Sequence, residues 1–375
     1  MSSSSPHSVY NITPADYSKR KCGDGHGRSL GVTKPALSKP GFVQLTQDFS
    51  GLRRHFLFPP FSVLRAMDGE WQRRKRQWLA LGIKSEVGRG VVTWKIGPDG
   101  KSTYSDDLYT DGARRKYGKK LPAGISGRCE GGGYSINADE CSGGDTEAGR
   151  GTSIFDPVLS ELIYRWFCPA NGQVIDPFAG GSVRGIVAHV LGYRYWGSEL
   201  RQEQVEANEQ QGGEILPENR PTWLCGDALN LVPNAPEADL IFTCPPYGYL
   251  EVYSELPEDL SNMEYPKFRE VYAEIVRLSV AKLRDNRFAC VVVGDFRDKQ
   301  GFYHNFVGDT VRCFRRAGMG FYNEAILVTA AGSLPIRITK QFQSGRKMGK
   351  THQNVLVFYK GDPKKIKTVF GEIER

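Results

Sequence analysis

From residue 173 to residue 360 the chain alternates short apolar runs with longer stretches of helical periodicity, and that alternation leaves few folds open. The runs are QVIDPF (173–178), YRYWGSE (193–199), TWLCGD (222–227), ADLIFTC (238–244), RFACVVVGD (287–295), NEAILVT (323–329) and NVLVFYK (354–360). Helix-like stretches lie at 182–192, 202–210, 266–283 and 303–317. Strands that alternate with helices need crossover connections, hence a mostly parallel sheet covered on both faces. The segment between the last two runs is too polar to predict a helix, so those runs are expected to pair antiparallel at one edge. The expected fold class is α/β, with a Rossmann-like, seven-stranded sheet ending in an antiparallel hairpin.

The first part of the chain has a different character. Residues 1–50 are rich in Ser, Gly, Pro and Lys without periodicity and read as a flexible leader. Residues 51–150 read as a basic accessory region, 151–362 as the regular α/β domain, and 363–375 as a tail. The net charge of +8 is uneven: 24 Lys and Arg face 15 Asp and Glu before residue 151, and 26 face 27 after it. A basic flank on a near-neutral domain is what a phosphate-binding arm looks like, because neutralising phosphates releases counterions. Within it, 56–90 places Trp71, Trp78, Leu79 and Leu81 among Arg73, Arg74, Lys75 and Arg76, the pattern of a short helix with one apolar and one basic face. Such a helix could lie on nucleic acid, or pack its Trp face on the main domain and leave the arginines in water. The stretch 100–150 is Gly-rich loop composition, with RRKYGKK at 114–120 and GGG at 131–133.

Several classes are disfavoured. No apolar run approaches the roughly 20 residues a membrane-spanning helix needs, and MSSSSPHSVY lacks a signal-peptide layout, so no membrane and a cytoplasmic location are expected. The eight cysteines (22, 129, 141, 168, 225, 244, 290 and 313) form no CxxC pair, and neither a metal site nor a disulfide scaffold is expected.

In an open α/β sheet ligands bind beyond the carboxyl ends of the strands, so the residues after each strand are the informative ones. The first strand ends in Asp176, Pro177, Phe178, Ala179, Gly180, Gly181 and Ser182, with a helix starting near Val183. Adjacent glycines let backbone approach a ligand, and a helix N-terminus offers N–H groups to a carboxylate. The second strand ends in Glu199, where an acidic side chain can accept from both hydroxyls of a ribose. The third ends in Asp227, placed to accept from an adenine amino group. The fourth ends in Thr243, Cys244, Pro245, Pro246 and Tyr247, where two prolines stop the strand and hold a carbonyl and an aromatic ring in place. Asp295, closing the fifth run, reads as a substrate contact or a helix N-cap.

The DPFAGG turn, the acidic strand end after it and the CPPY tetrad resemble the DNA amino-methyltransferases that make N6-methyladenine or N4-methylcytosine, over residues 152–360. With PPFSVL, TSIFDPVL and THQNVLVF included, the chain further looks like DNA methylases encoded by bacteriophages and prophages. The resemblance implies a class I S-adenosylmethionine-dependent methyltransferase fold with S-adenosylmethionine as cofactor and double-stranded DNA as partner. It implies that Asp176, Pro177, Phe178, Gly180, Gly181 and Ser182 cradle the methionine part, that Glu199 holds the ribose and Asp227 the adenine, and that Thr152, Phe155 and Asp156 close over the cofactor. It places the target amino group on Cys244 and the Pro245 carbonyl, with Tyr247 stacked on a base extruded from the duplex.

Cys244 departs from that family's pattern, which has Asp, Asn or Ser there; a thiol is a weaker acceptor. Its small size leans toward the Ser-type, cytosine-directed version, and a weakly active enzyme stays open. GRKMGKT at 345–351 is similar to a phosphate-binding loop, but Ser344 stands where the first Gly is required, so Arg346, Lys347 and Lys350 read as a basic loop near DNA, with His352 beside them. Three readings remain: a DNA amino-methyltransferase, an RNA-base methyltransferase, and a DNA-binding protein that keeps the cofactor fold without turnover. No stretch between the motifs is long enough for a separate recognition domain, so recognition is expected from residues 1–150, 248–265 or 330–352.

Overall fold

The computed structural model describes residues 56–84, 155–218, 220–248, 253–331 and 334–373. The expected leader, the RRKYGKK and GGG stretches and Thr152 lie outside the described residues. Eight strands form one sheet: β1 (Val63–Arg65), β2 (Gln173–Asp176), β3 (Arg194–Glu199), β4 (Thr222–Cys225), β5 (Ala238–Thr243), β6 (Leu283–Val293), β7 (Gly320–Val328) and β8 (His352–Lys360). Their order across the sheet is β1-β7-β8-β6-β5-β2-β3-β4. The pairs β2–β3, β3–β4, β2–β5, β5–β6 and β1–β7 are parallel, and β8 runs antiparallel to both β6 and β7. This is a Rossmann-like α/β sheet whose order reverses between β2 and β5, where such sheets open a crevice.

Two sequence expectations are corrected. The sheet has eight strands, not seven, because three residues of the N-terminal region, Val63 to Arg65, pair with Ile326 to Val328 at its edge. The antiparallel pair is present but not outermost: β8 sits between β6 and β7. An unbroken run such as VLVFY, buried from Val355 to Tyr359, belongs in the middle of a sheet, whereas β7 is exposed over its first five residues. Nor is the β7–β8 connection a hairpin turn, since it carries helix α8 (Leu334–Gly345).

Helices α2 (Pro157–Phe167), α3 (Val183–Val190) and α4 (Gln202–Ile215) cover one face, and α6 (Tyr265–Lys282) and α7 (Phe306–Arg316) the other; α5 (Ala228–Leu231) is a single turn and α9 (Ile366–Phe370) closes the chain. Asp156 starts α2 by accepting the Val158 and Leu159 amides, with Pro157 in the first turn where its missing N–H costs nothing.

Helix α1 (Gly69–Leu79) comes from the basic region and packs on α2. Trp71 and Trp78 are seven residues apart, hence on one face, and each is 1% exposed. Burying each is worth about 2–3 kcal/mol. Their indole N–H groups donate to Asp156 Oδ2 (3.1 Å) and Glu161 Oε2 (2.7 Å). Arg74 lies between them on the same face, and its guanidinium makes two hydrogen bonds to Glu161, of 2.7 and 2.6 Å. Arg165 adds a third at 2.9 Å. Burial pushes the Glu161 carboxyl up, but Arg74, Arg165 and Trp78 together outweigh it and hold the group below its ordinary range. Arg74, expected on nucleic acid, is therefore a buried partner of Glu161. Arg73 and Arg76 stay exposed.

Candidate active site

At the carboxyl end of the sheet, a cleft of about 680 Å³ opens over the β2/β5 switch point. Its floor is organised by Asp176. This carboxylate is fully buried and accepts from Arg184 Nε (2.6 Å) and the Tyr195 hydroxyl (2.8 Å) on one oxygen, and from the Thr243 hydroxyl (2.6 Å) and the Phe178 amide (3.2 Å) on the other. Asp176 thus ties β2, β3, β5 and α3 together below the turn and does not line the cleft. Arg184 also donates to the Phe178 and Ala179 carbonyls, at 2.6 and 3.0 Å, which fixes the turn from beneath. Burial would lower the Arg184 pKa, but Asp176 more than compensates and the guanidinium stays charged. Burial first, then the Asp176 charge, pushes the Tyr195 phenol up, so it remains a donor.

The turn above this hub lines the cleft with Pro177, Phe178, Gly180 and Gly181. Gly180 has φ +52°, the left-handed region, with open space where a side chain would project. Its amide donates to Glu199 Oε2 (3.0 Å) and its carbonyl accepts from Asn208 (2.7 Å). Glu199 Oε1 accepts the Arg201 amide at 3.0 Å. Burial raises the Glu199 carboxyl above its ordinary range despite those amides and Arg201. Asp227 lines the cleft and caps α5, accepting the Leu229 amide at 2.9 Å. Ser182 does not line it; its hydroxyl donates to Gln211 at 2.7 Å.

Phe155 and Asp156 form the near wall. Phe155 stacks edge-on against Phe242 and lies under the Arg184 guanidinium, 4.4 Å from its ring centre. Beside them, Ala66, Gln72 and Lys75 of the β1–α1 segment also line the cleft.

The far wall carries Cys244, Pro245, Pro246 and Tyr247, with Leu327, Thr329 and Ala330 from the end of β7. Tyr247 packs edge-on against Phe306 at 6.4 Å, and its hydroxyl accepts from Gln353 Nε2 at 2.7 Å. The Cys244 sulfur lies 4.0 Å from the same hydroxyl. Burial, then Cys244, pushes the Tyr247 phenol well up, so it stays protonated and can donate. Gln353 had no signature in the sequence, being an ordinary polar residue just ahead of a strand run. Arg184 had one: a lone arginine in the apolar helix VRGIVAHV has to find a buried partner.

The remaining expected residues scatter. Arg346 and Lys347 are exposed, whereas Lys350 is half-buried with Nζ donating to the Asp295 carbonyl at 3.2 Å, and burial lowers its pKa. Residues 345–351 follow a helix and lead into β8, the reverse of the strand-to-helix order of a phosphate-binding loop. His352 is exposed. Asp295 accepts the Val307 amide at 3.0 Å, capping the start of α7. Among the described residues, no group of three His, Cys, Asp or Glu could hold a metal ion, and no helix is long and apolar enough to cross a membrane.

No protein-family model matches the chain, and no curated protein does. Solved structures that it is similar to include TrmN from Thermus thermophilus (16% identity, TM-score 0.37, 55% of this chain and 49% of that one). Another is magnesium protoporphyrin IX methyltransferase from Synechocystis PCC 6803 with bound SAM (13%, 0.34, 54% and 79%). A third is a Thermus thermophilus protein described as a candidate DNA modification methylase (19%, 0.27, 36% and 51%). The chain spans about half the length of the first and third of these. At such identities and TM-scores the likenesses transfer neither activity nor substrate, and the strand order itself defines the fold.

Proposed function

We propose that this chain transfers a methyl group from S-adenosylmethionine to an exocyclic amino group of adenine (N6) or cytosine (N4) in DNA. The observation that carries the reading is that one cleft joins the Gly-rich turn, Glu199 and Asp227 to the Cys244–Tyr247 tetrad. The residues present fit a nucleoside cofactor. The cleft volume lies in the usual range of about 300–1,000 Å³ for small-molecule sites. Glu199 offers a carboxylate to a ribose diol, Asp227 an acceptor to an adenine amine, and the Gly180 turn a backbone surface with no side chain in the way.

When bound, S-adenosylmethionine supplies an electrophilic methyl on its sulfonium sulfur. The chain's own part is orientation. An exocyclic amine is a poor nucleophile because its lone pair is delocalised into the ring, so acceptors on its protons help to localise that pair. The Pro245 carbonyl and the Cys244 sulfur are the acceptors, and the Tyr247 ring, held by Phe306 and Gln353, gives the base a face to stack on. A base inside a duplex cannot reach this cleft and has to be extruded. Exposed Arg73, Arg76, Arg346 and Lys347 meet the phosphates.

The test is transfer of labelled methyl to unmethylated genomic DNA, followed by nucleoside mass spectrometry. N6-methyladenine or N4-methylcytosine is expected. Label entering only RNA moves the substrate to RNA, and cofactor binding without transfer to either nucleic acid leaves a DNA-binding protein with a retained cofactor fold. Tyr247→Ala is expected to cut kcat by about 100-fold or more while leaving affinity for S-adenosylhomocysteine intact, since it removes orientation of the base alone.

A further inference from the structure

The cleft has an unusual charge balance. Its lining carries seven acidic residues, Asp156, Glu199, Glu203, Asp227, Glu255, Glu258 and Asp259, against three cations, Lys75, Arg184 and Arg201. Two of the cations are committed. Arg184 is held by Asp176 and two carbonyls of the turn. Arg201 donates to Glu203 at 3.2 Å and to Gln204 at 3.0 Å, and lies 3.8 Å from Glu199. Lys75 differs. Its side chain is 30% exposed, its ammonium is 3.7 Å from Asp156 Oδ2, longer than a good charge-assisted hydrogen bond, and that oxygen already accepts from Trp71.

We infer that Lys75 is the cation that receives the carboxylate of the cofactor's amino-acid end, so that a residue of the N-terminal basic helix completes the cofactor site. The inference rests on the cofactor reading above. A free α-carboxylate entering a cleft with this acidic excess is repelled unless a cation faces it. Lys75 lies on the same side as Phe155 and Asp156, next to Gln72 and Ala66, and three rotatable donors on a four-carbon stem let it turn from Asp156 to a ligand. Its position is imposed by Trp71, Arg74 and Trp78, which anchor the helix on either side of it. The basic run is therefore divided by helical geometry: Arg74 inward to Glu161, Lys75 toward the cleft, Arg73 and Arg76 to solvent.

The experiment compares two ligands by calorimetric titration of the full chain: S-adenosylhomocysteine, which carries the carboxylate, and 5′-methylthioadenosine, which lacks it. Lys75→Gln is expected to weaken S-adenosylhomocysteine binding by about 10-fold or more, the size of one lost charged hydrogen bond, and to leave 5′-methylthioadenosine unchanged. Lys75→Arg is expected to keep most of the affinity and Lys75→Glu to lose more than Lys75→Gln does. Thermal melting should change little in Lys75→Gln and Lys75→Arg, because the ion pair with Asp156 is long at 3.7 Å, whereas Lys75→Glu sets a second carboxylate beside Asp156 and is expected to melt lower. Equal S-adenosylhomocysteine affinity in wild type and Lys75→Gln overturns the inference and leaves the carboxylate to the backbone N–H groups at the start of α3. Equal weakening for both ligands also overturns it, since the loss then has nothing to do with the carboxylate. Binding of neither ligand by the wild type overturns the cofactor reading and this inference with it.

Discussion

The two basic stretches, RRKR at 73–76 and GRKMGK at 345–350, carry similar charge in the sequence and reach different surroundings in the structure. The first belongs to a helix with tryptophans on one face, and their burial carries Arg74 inward to a carboxylate that is 0% exposed. The second has no such anchor. Met348 is 74% exposed, and Arg346 lies over the half-exposed ring of Phe342 at 5.4 Å. Lys350 is pinned by the Asp295 carbonyl. Charge density therefore does not locate a basic segment. The apolar residues at helical spacing beside it do, because two buried indoles and the pairing with Glu161 together offset the cost of taking one guanidinium out of water.

The sharpest way to break this contrast is Arg74→Ala. Removing one partner leaves Glu161 buried with only Arg165 and Trp78, and a loss of about 3 kcal/mol in urea unfolding is expected. A neutral result would make the first stretch as superficial as the second. The double variant Arg346→Ala, Lys347→Ala should leave melting unchanged and weaken DNA binding, making the dependence of log affinity on log salt shallower by about 2. An unaltered salt slope would remove 345–350 from the phosphate contacts.

Acidification separates two buried glutamates. The Glu161 carboxyl is held below its ordinary range, so its stabilising contribution is present above the unfolded value and is lost only as pH falls through the lowered one. Glu199 is raised by burial, so it takes up its proton earlier, and that uptake relieves a folding cost rather than adding one. As pH falls from neutrality, affinity for S-adenosylhomocysteine should therefore fail before stability is lost, as titration and melting at matched pH would read. Simultaneous loss would place Glu199 outside the ligand contacts. The smallest effect is expected from Arg73→Ala with Arg76→Ala, under about 0.5 kcal/mol in stability. If that pair costs as much DNA affinity as the 346/347 pair, both stretches grip phosphate and only Arg74 and Lys75 set the first apart.

All seven strand runs from 173 onward were legible: β2, β5 and most of β6 and β8 are buried on both faces and read as near-continuous apolar runs, and β4 and β7, largely exposed, were marked by shorter apolar runs between turn residues. Strand β1 was not: three residues, two of them exposed, carry no period. The cleft was legible where chemistry sits at a strand end, as at Gly180, Glu199, Asp227 and the tetrad. It was illegible where a residue's role depends on a partner far along the chain, as with Gln353 reaching Tyr247 or Lys75 reaching Asp156. Asp176 was expected to cradle the ligand, yet its place is beneath the turn, outside the cleft lining. A carboxylate directly after a strand can face the crevice or the sheet interior, and Thr243, Tyr195 and Arg184, which decide between them, are dispersed in sequence.

The edge strand also bears on the order in which the molecule comes together. Val63 pairs with Ile326, and Arg74 with Glu161 across 87 positions, so the segment made first can be placed only after its distant partners exist. Closing loops of that size costs entropy that local contacts do not offset, which puts such pairings late in folding. During synthesis, the edge strand at Val63 waits for the strand that carries Ile326, whereas the helix that carries Lys75 has its partners on α2 once Glu161 has been made.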